Sequence, residues 1–397
     1  MPRKPTEPTP SGKRRVCFVT GTRAEFGLME STLRAIEAHR ALRLQLVVTG
    51  MHLDPRHGRT IDEIRRGGWR IDARVPWASS RGSTPGSNAV ATGNAVAGLA
   101  AAFARLRPDV VLVVGDRVEA FAAASAAHIG HIPVAHVHGG DRALGQVDDA
   151  LRHAITKLAH VHFPATAESA ERIRKLGEDA WRIHTAGSPG IDQIRRAASR
   201  FEEVLASMPG LRRRRYGVLI YHPAEADDGV EHDRAAQLLA AVDSIGFERV
   251  VVIYPNNDPG GREIRRMWDR LAKKQKNGQY WYTVRRDVPR SIFLGLIRDA
   301  AVLAGNSSAG IIEAASFGTP VLDVGRRQEG RQRSDNVFHV DSPFEGIPAL
   351  RRIWNGGRPL RFPLKNPYGG GGTSAKISDI LARLPIDERL LRKLITY

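Results

Sequence analysis

The 397-residue chain has a single cysteine, Cys17, so it can form no internal disulfide and no cysteine-based zinc cluster. Cys17 lies in the apolar run "VCFVT" and reads as core. Aromatic residues are scarce at 6%, and no DNA- or RNA-binding spacing is present. Both argue against a nucleic-acid partner despite a formal net charge of +18. Arginine is spread along the whole chain, either as a solvated surface or as a field that attracts a small anion. No apolar run approaches the roughly 18 residues of a membrane helix, so no membrane association is expected. The N-terminal "MPRKPTEPTPSGKRR" is basic and proline-rich without a secretory apolar segment, which makes cytoplasmic residence the expectation. No GxGxxG follows the first strand pattern, and no Walker motif occurs. Neither a nicotinamide cofactor nor a P-loop is supported, and no cofactor is expected.

What is present is alternation. From Arg15 onward, "RVCFVT", "LQLVVTG", "VVLVVGD", "PVAHVHGG" and "HVHFPAT" read as strands buried on both faces. Amphipathic stretches such as "GLMESTLRAIEAHRAL" and "NAVAGLAAAFARL" separate them. After Arg212–Arg215 the pattern starts again with "YGVLIYHP", "RVVVIYPN", "YWYTVRRDV", "AAVLAGNSS" and "TPVLDVG". Strands alternating with helices predict an α/β fold of two doubly wound, Rossmann-like domains. Ligands of such sheets sit beyond the carboxyl ends of the strands, so two facing domains predict a site in a central cleft. The expected boundaries are a disordered basic tail over 1–14, an N-terminal domain over 15–205 and a C-terminal domain over 206–374. A last helix over 375–397, roughly Ala375 to Leu394, is expected to pack back on the first domain.

Each strand ends in its own polar signature. "GTRAEFG" (Gly21–Gly27) opens a helix, and its amides with Arg23 suit a phosphate; a capping turn with a surface arginine explains it equally. Asp116 follows the run "VVLVVG" directly, as a base or sugar-orienting carboxylate, or as a loop cap. In "AGNSSAGIIEAASFGTPVLDVG", Asn306, Ser307 and Ser308 supply N-cap chemistry for a helix expected to run to Phe317. Glu313 is a lone charge among Ile311, Ile312, Ala314 and Ala315, placed to take ribose hydroxyls. In "HVHGGDRALGQVDDALRHAITKLAHVHF", Asp148 and Arg152 stand four apart, as do Asp149 and His153, so each pair shares a helix face. Capping aspartates on an amphipathic helix explain that spacing too. His136, His138 and Asp141 lack a second ligand cluster at recognised spacing, so no metal is expected.

Taken together, "GTRAEFG", "GDR", "HGG…DDALRHAITKLAH.HF", "HP", "GNSSAGIIEAASFGTPVLDVG" and "RQEGR" resemble the UDP-N-acetylglucosamine 2-epimerase family. The hydrolysing branch, which opens sialic-acid-type sugar pathways, is the nearer match. The resemblance runs from about Arg15 to Ile377 with the motifs in family order. It implies a glycosyltransferase-B-like fold, a nucleotide-sugar substrate, no required metal and a homodimer or homotetramer. It also implies anti elimination of UDP to a 2-acetamidoglucal, then hydration to N-acetylmannosamine. By resemblance Asp116, Asp148 and Arg152 carry the acid–base work, and His222 lies near the leaving phosphate. Arg23 and His52, at the ends of the first two strands, match substrate- or nucleotide-binding positions, as do Ser307, Ser308, Glu313 and Arg327. His138 stands where many members have glutamate, and Asp141 shortens the "HGGE" carboxylate by one methylene; both join the catalytic candidates. The family's "NPYGDG" loop reads "NPYGGGG" here, losing an acidic group near Gly370.

Other readings share this architecture. The same chemistry on a modified or GDP-linked aminosugar, as in legionaminate-type pathways, is the nearest. A non-hydrolysing epimerase would favour "GTRPE" and "PEE..R" over "GTRAEFG" and "DDALRH". A glycosyltransferase needs an acceptor site, and a binding protein would keep only the nucleotide pocket.

Overall fold

The computed structural model describes residues 12–54, 60–76, 85–142, 148–224, 227–255, 260–276 and 281–397. The expected tail falls mostly outside them, and the first strand already includes Arg14. The expected α/β fold is observed as two six-stranded, all-parallel sheets. The first contains β1 (Arg14–Thr20), β2 (Leu42–Thr49), β3 (Ala73–Val75), β4 (Val110–Val114), β5 (Val134–Val137) and β6 (Val161–Phe163). Its strand order is β3-β2-β1-β4-β5-β6. The second contains β7 (Tyr216–Ile220), β8 (Arg249–Ile253), β9 (Tyr282–Arg285), β10 (Val302–Gly305), β11 (Val321–Val324) and β12 (Val337–Val340), in the order β12-β11-β10-β7-β8-β9. In both, the first strand is central and the winding reverses beside it.

The sequence pattern follows from burial. β4 and β7 are buried at every residue, because helices cover both faces of a parallel sheet. The edge strands β3 and β12 escape detection by sequence for the same reason. β3 has only three residues, and β12 has no fully buried position, so neither makes a continuous apolar run.

The chain divides into two compact units, Met1–Asp192 with Gly371–Tyr397, and Gln193–Gly370. The division precedes the anticipated 205/206 because the short helices Ile194–Ala197 and Phe201–Ser207 pack within the second unit. The Ser199 amide donates to the Ser291 carbonyl at 2.9 Å, and Gly295 lies against Val204. The second crossing comes before the C-terminal helix, which starts at Thr373 rather than Ala375. Asp192 accepts from the amides of Thr373 and Ser374 at 3.0 and 2.6 Å, which caps that helix.

The anticipated single helix to Leu394 is broken. It stops at Arg383, because Leu384 precedes Pro385 and is forced into an extended conformation. A four-residue helix, Glu388–Leu391, follows. Beyond it, Lys393 Nζ donates to the carbonyls of Thr156, Lys157 and Ala159 at 2.6–2.9 Å. This satisfies the C-terminal end of the helix Asp148–Leu158 with a positive charge.

One helix corrects the expectation about apolar length. Pro85–Leu106 contains an 18-residue window, Ala89–Leu106, of mean hydropathy 1.3. Its apolarity is largely alanine, and Ala91, Ala95, Leu99, Ala102 and Phe103 are buried.

Candidate active site

Each unit has a point where the strand order reverses, between β1 and β4 and between β7 and β10. Loops leaving such neighbouring strands diverge and leave a crevice at the carboxyl edge. The candidate residues gather at these two points.

In the first unit, Gly115 takes φ +77° immediately after β4, a turn that presents Asp116 at the sheet edge. Buried His136 on β5 supports it. Burial pushes its imidazole down to about 3, so the ring is neutral, and Nε2–H donates to the Gly115 carbonyl at 2.7 Å. Asp116 forms a close ion pair with Arg152, whose other contact is the His138 carbonyl at 2.9 Å. The shared helix face of Asp148 and Arg152 thus does not lead to a mutual pair; Arg152 turns inward to Asp116.

His138 is 5% exposed and has φ +61°, a left-handed conformation unusual for a side chain of its size. Nδ1–H donates to Asp141 Oδ2 at 2.8 Å, and Nε2 meets Ser188 Oγ at 3.0 Å. Asp141 Oδ1 accepts from Ser169 Oγ at 2.7 Å. Burial works against the Asp141 charge, but His138, Arg152 and the Ser169 hydroxyl together hold its carboxyl well below the usual range. Asp141 is therefore an ionised group that orients an imidazole, not a proton donor. The shorter aspartate reaches His138 directly.

His52 follows β2 and is 1% exposed. Its ring nitrogens meet Thr20 Oγ1 at 3.1 Å and Thr60 Oγ1 at 2.7 Å, and burial pushes it down to about 4. Both nitrogens serve the protein, so His52 fastens strand ends. Arg23, at the start of the helix Arg23–Ala38, is exposed and pairs with Glu63 at 3.0 Å. Asp149 and His153 lie 3.4 Å apart.

In the second unit, His222 follows β7 and Asn306 follows β10. The Asn306 side chain accepts from the His222 amide at 2.7 Å and donates to its carbonyl at 2.8 Å. Gly305 permits this approach: any Cβ there would lie 1.8 Å from the Ile220 carbonyl oxygen. Gln328 Nε2 and Arg327 Nη1 donate to the Asn306 carbonyl at 2.9 and 3.4 Å.

The helix after β10 is shorter than expected. It spans Ser308–Ile312, capped by Ser307, and a 3₁₀ turn over Ala314–Phe317 follows Glu313. The cause is Asn366 of the "NPYGGGG" loop, which donates to the Ile312 carbonyl at 2.7 Å and to Ser316 Oγ at 2.8 Å. The 3₁₀ turn leaves that carbonyl for Asn366. Glu313 stands at the break and pairs with Arg290 at 2.6 Å.

Sequence reasoning missed Arg290, Asn306, Ser169 and Ser188. Asn306 appeared only as capping chemistry, and the two serines carry no local pattern. Among the described residues, no group of three His, Cys, Asp or Glu side chains is placed to hold a metal ion.

Comparison with known proteins gives this geometry a context. The family model of UDP-N-acetylglucosamine 2-epimerase matches residues 34–382. The chain is 36% identical over 387 residues, 97% of its length and all of the relative's, to UDP-N,N'-diacetylbacillosamine 2-epimerase (hydrolyzing) of Legionella pneumophila. It is 32% identical to UDP-N-acetylglucosamine 2-epimerase of Neisseria meningitidis, over 91% of this chain and 92% of that one. Its fold is similar to the crystal structure of UDP-GlcNAc 2-epimerase from Neisseria meningitidis bound to UDP-GlcNAc, with TM-score 0.77 and 20% identity over 92% and 99% of the two chains. With nearly the whole chain matched, and an Asp–Arg pair and a clamped histidine at the two switch points, the protein belongs to the UDP-N-acetylglucosamine 2-epimerase family.

Proposed function

We propose that the protein is a hydrolysing 2-epimerase that takes a UDP-linked 2-acetamido sugar and water and releases UDP and the free C2-inverted sugar. With UDP-N-acetylglucosamine the product is N-acetylmannosamine. The observation that carries this reading is the Asp116–Arg152 ion pair at the β1/β4 switch point, with the Asp141-oriented His138 bonded to the same arginine.

The chemistry explains the demand for such groups. The C2 proton has no neighbouring carbonyl, so its removal alone leaves no stabilised carbanion. If the C1–O bond to the diphosphate breaks as that proton leaves, the electron pair forms a C1=C2 double bond and UDP carries the charge away. Water then adds at C1 while a proton returns to the opposite face of C2. Two proton-active groups and a partner for the leaving diphosphate are required. Asp116 and Asp148 take the proton work in this reading, with Arg152 and His138 positioned around them. His222 serves the diphosphate. Ser307, Ser308, Glu313 and Arg327 serve the nucleotide, with Arg23 contributing from the first unit, so the first unit is mainly the acid–base side and the second mainly the nucleotide side. The "HGG…DDALRH" segment and the relatives named as hydrolysing support hydrolysis over reversible epimerisation.

A second substrate has its own support. The relative at 36% identity is named for UDP-N,N'-diacetylbacillosamine, which is therefore the alternative to UDP-N-acetylglucosamine. An NMR time course with both, and with GDP-linked counterparts, identifies the substrate. Turnover in D₂O is expected to place deuterium at C2. In ¹⁸O-labelled water, UDP is expected to remain unlabelled, because the C1–O bond breaks. Label in UDP, or a product that keeps its C2 proton, leaves plain hydrolysis or glycosyl transfer.

The nucleotide side has a separate test. Glu313→Ala is expected to weaken UDP binding by about 1–3 kcal/mol, the usual cost of losing a charged hydrogen-bond partner. Unchanged affinity by calorimetry would remove Glu313 from the nucleotide site.

A further inference from the structure

Asn366 is not among the residues assigned to the nucleotide, yet both polar groups of its side chain are engaged beside one of them. Its Oδ1 accepts from the Tyr368 amide at 2.9 Å, and its carbonyl accepts from the Gly369 amide at 3.0 Å. This closes a turn that Pro367 stiffens and that buried Tyr368 anchors. With the oxygen turned to Tyr368, the Nδ2 group faces the segment after β10. It donates to the Ile312 carbonyl at 2.7 Å and to Ser316 Oγ at 2.8 Å. The partners fix which way the amide lies, since an N–H needs the oxygen and a carbonyl needs the nitrogen.

These two anchors flank Glu313. A continued α-helix would give the Ile312 carbonyl to the Ser316 amide. That amide bonds to the Glu313 carbonyl instead, at 3.0 Å, so Glu313 stands where α-helix changes to 3₁₀. The turn is tied at two further points. Arg195 Nε donates to the Ser316 carbonyl at 3.0 Å, and the Phe362 amide to the Gly318 carbonyl at 3.1 Å. The Glu313 side chain is fixed separately: its carboxylate is 12% exposed and pairs at 2.6 Å with Arg290, the first residue of the helix Arg290–Asp299. Glu313 has φ −101°. Release to the ordinary helical value would swing its Cβ by about 40° and re-aim the carboxylate.

We propose that Asn366 is a positioning residue for the nucleotide's ribose: it holds the chain at Ile312 and Ser316 so that Glu313 meets the vicinal hydroxyls, and the seat so built prefers a ribonucleotide to its 2′-deoxy counterpart. Two neighbouring hydroxyls bond to one carboxylate only where that carboxylate is held in place, and charge-assisted bonds of this kind are the strong ones. The inference rests on the assignment of Glu313 to the nucleotide.

Calorimetry with UDP and 2′-deoxy-UDP reads the preference directly. The wild type is expected to bind UDP roughly tenfold to a hundredfold more tightly, the equivalent of one charged hydrogen bond. Asn366→Asp keeps the turn with the Tyr368 amide, but a carboxylate only accepts and repels the Ile312 carbonyl. Its preference should fall to within about a factor of three, because the 2′-hydroxyl has lost its charged partner. The loss should fall on UDP, with the affinity for 2′-deoxy-UDP near the wild-type value. Glu313→Ala should level the preference too, and adding Asn366→Asp to it should change nothing further. A purely structural Asn366 would lower Tm and leave the preference intact. That result, with the preference lost in Glu313→Ala, overturns the proposal alone. Equal wild-type affinity for both nucleotides, with UDP binding unchanged in Glu313→Ala, overturns the assignment of Glu313 and the proposal with it. If Asn366→Asp does not fold, Ser316→Ala, which removes one anchor and little volume, carries the test. Its preference should be smaller than the wild type's, and an unchanged one overturns the proposal.

Discussion

Asp116→Asn and Asp148→Asn are each expected to slow turnover by about two to four orders of magnitude, the range of a positioned general acid or base. Asparagine keeps the shape of Asp116 and still offers an oxygen to Arg152, so the fold at the β4 edge should persist. What disappears is the ability to accept a proton. The loss should fall on kcat, with KM changing far less, because neither residue is assigned to the nucleotide. His138→Asn should behave differently. It removes a ring that Asp141 and Ser188 hold from two sides, so loss of activity should come with loss of stability. A kcat near the wild-type value in both aspartate variants would show that the proton work lies elsewhere. A single affected aspartate would assign one of the two proton steps, and a variant that releases the unsaturated sugar would identify the group used in hydration.

Arg152→Met should be the most destabilising single change in the first unit's site. The guanidinium is 4% exposed and holds both Asp116 and the His138 carbonyl. Removing one member of a buried pair leaves the other charge uncompensated, at a cost of about 3–5 kcal/mol. Asp116 is 21% exposed at its side chain, and water screens it in part, so about 3 kcal/mol is the figure to expect. Chemical denaturation checks this. The double variant Arg152→Met with Asp116→Asn should recover part of the loss, because a neutral amide needs no cation beside it. Recovery that is absent would mean that the arginine acts mainly through the His138 carbonyl. Salt should matter little for either variant, since the pair lies inside the unit.

The alternation of short β-branched runs with amphipathic stretches was sufficient to establish an α/β chain with two parallel sheets, because burial on both faces of a strand leaves an unbroken apolar run. The same local logic found Gly21 and Asp116, each of which follows such a run directly. It failed where a run was short or half-exposed, as in β3 and β12. It failed again where a distant residue altered local structure: Asn366 captures the Ile312 carbonyl and cuts short a helix that its own residues would extend. The partners within the site are likewise a product of tertiary structure. Helical spacing pairs Arg152 with Asp148, whereas the folded unit gives it Asp116, thirty-six residues away. Asp141 reads only as a catalytic candidate in its motif, but His138, Arg152 and Ser169, against its burial, keep it ionised. Periodicity and turn chemistry are properties of neighbours in the chain, so the sequence alone determined the elements and the ends at which chemistry gathers. Charge pairing and desolvation depend on residues far apart in the chain, so only the tertiary structure decided which of those groups hold each other and which are left to react.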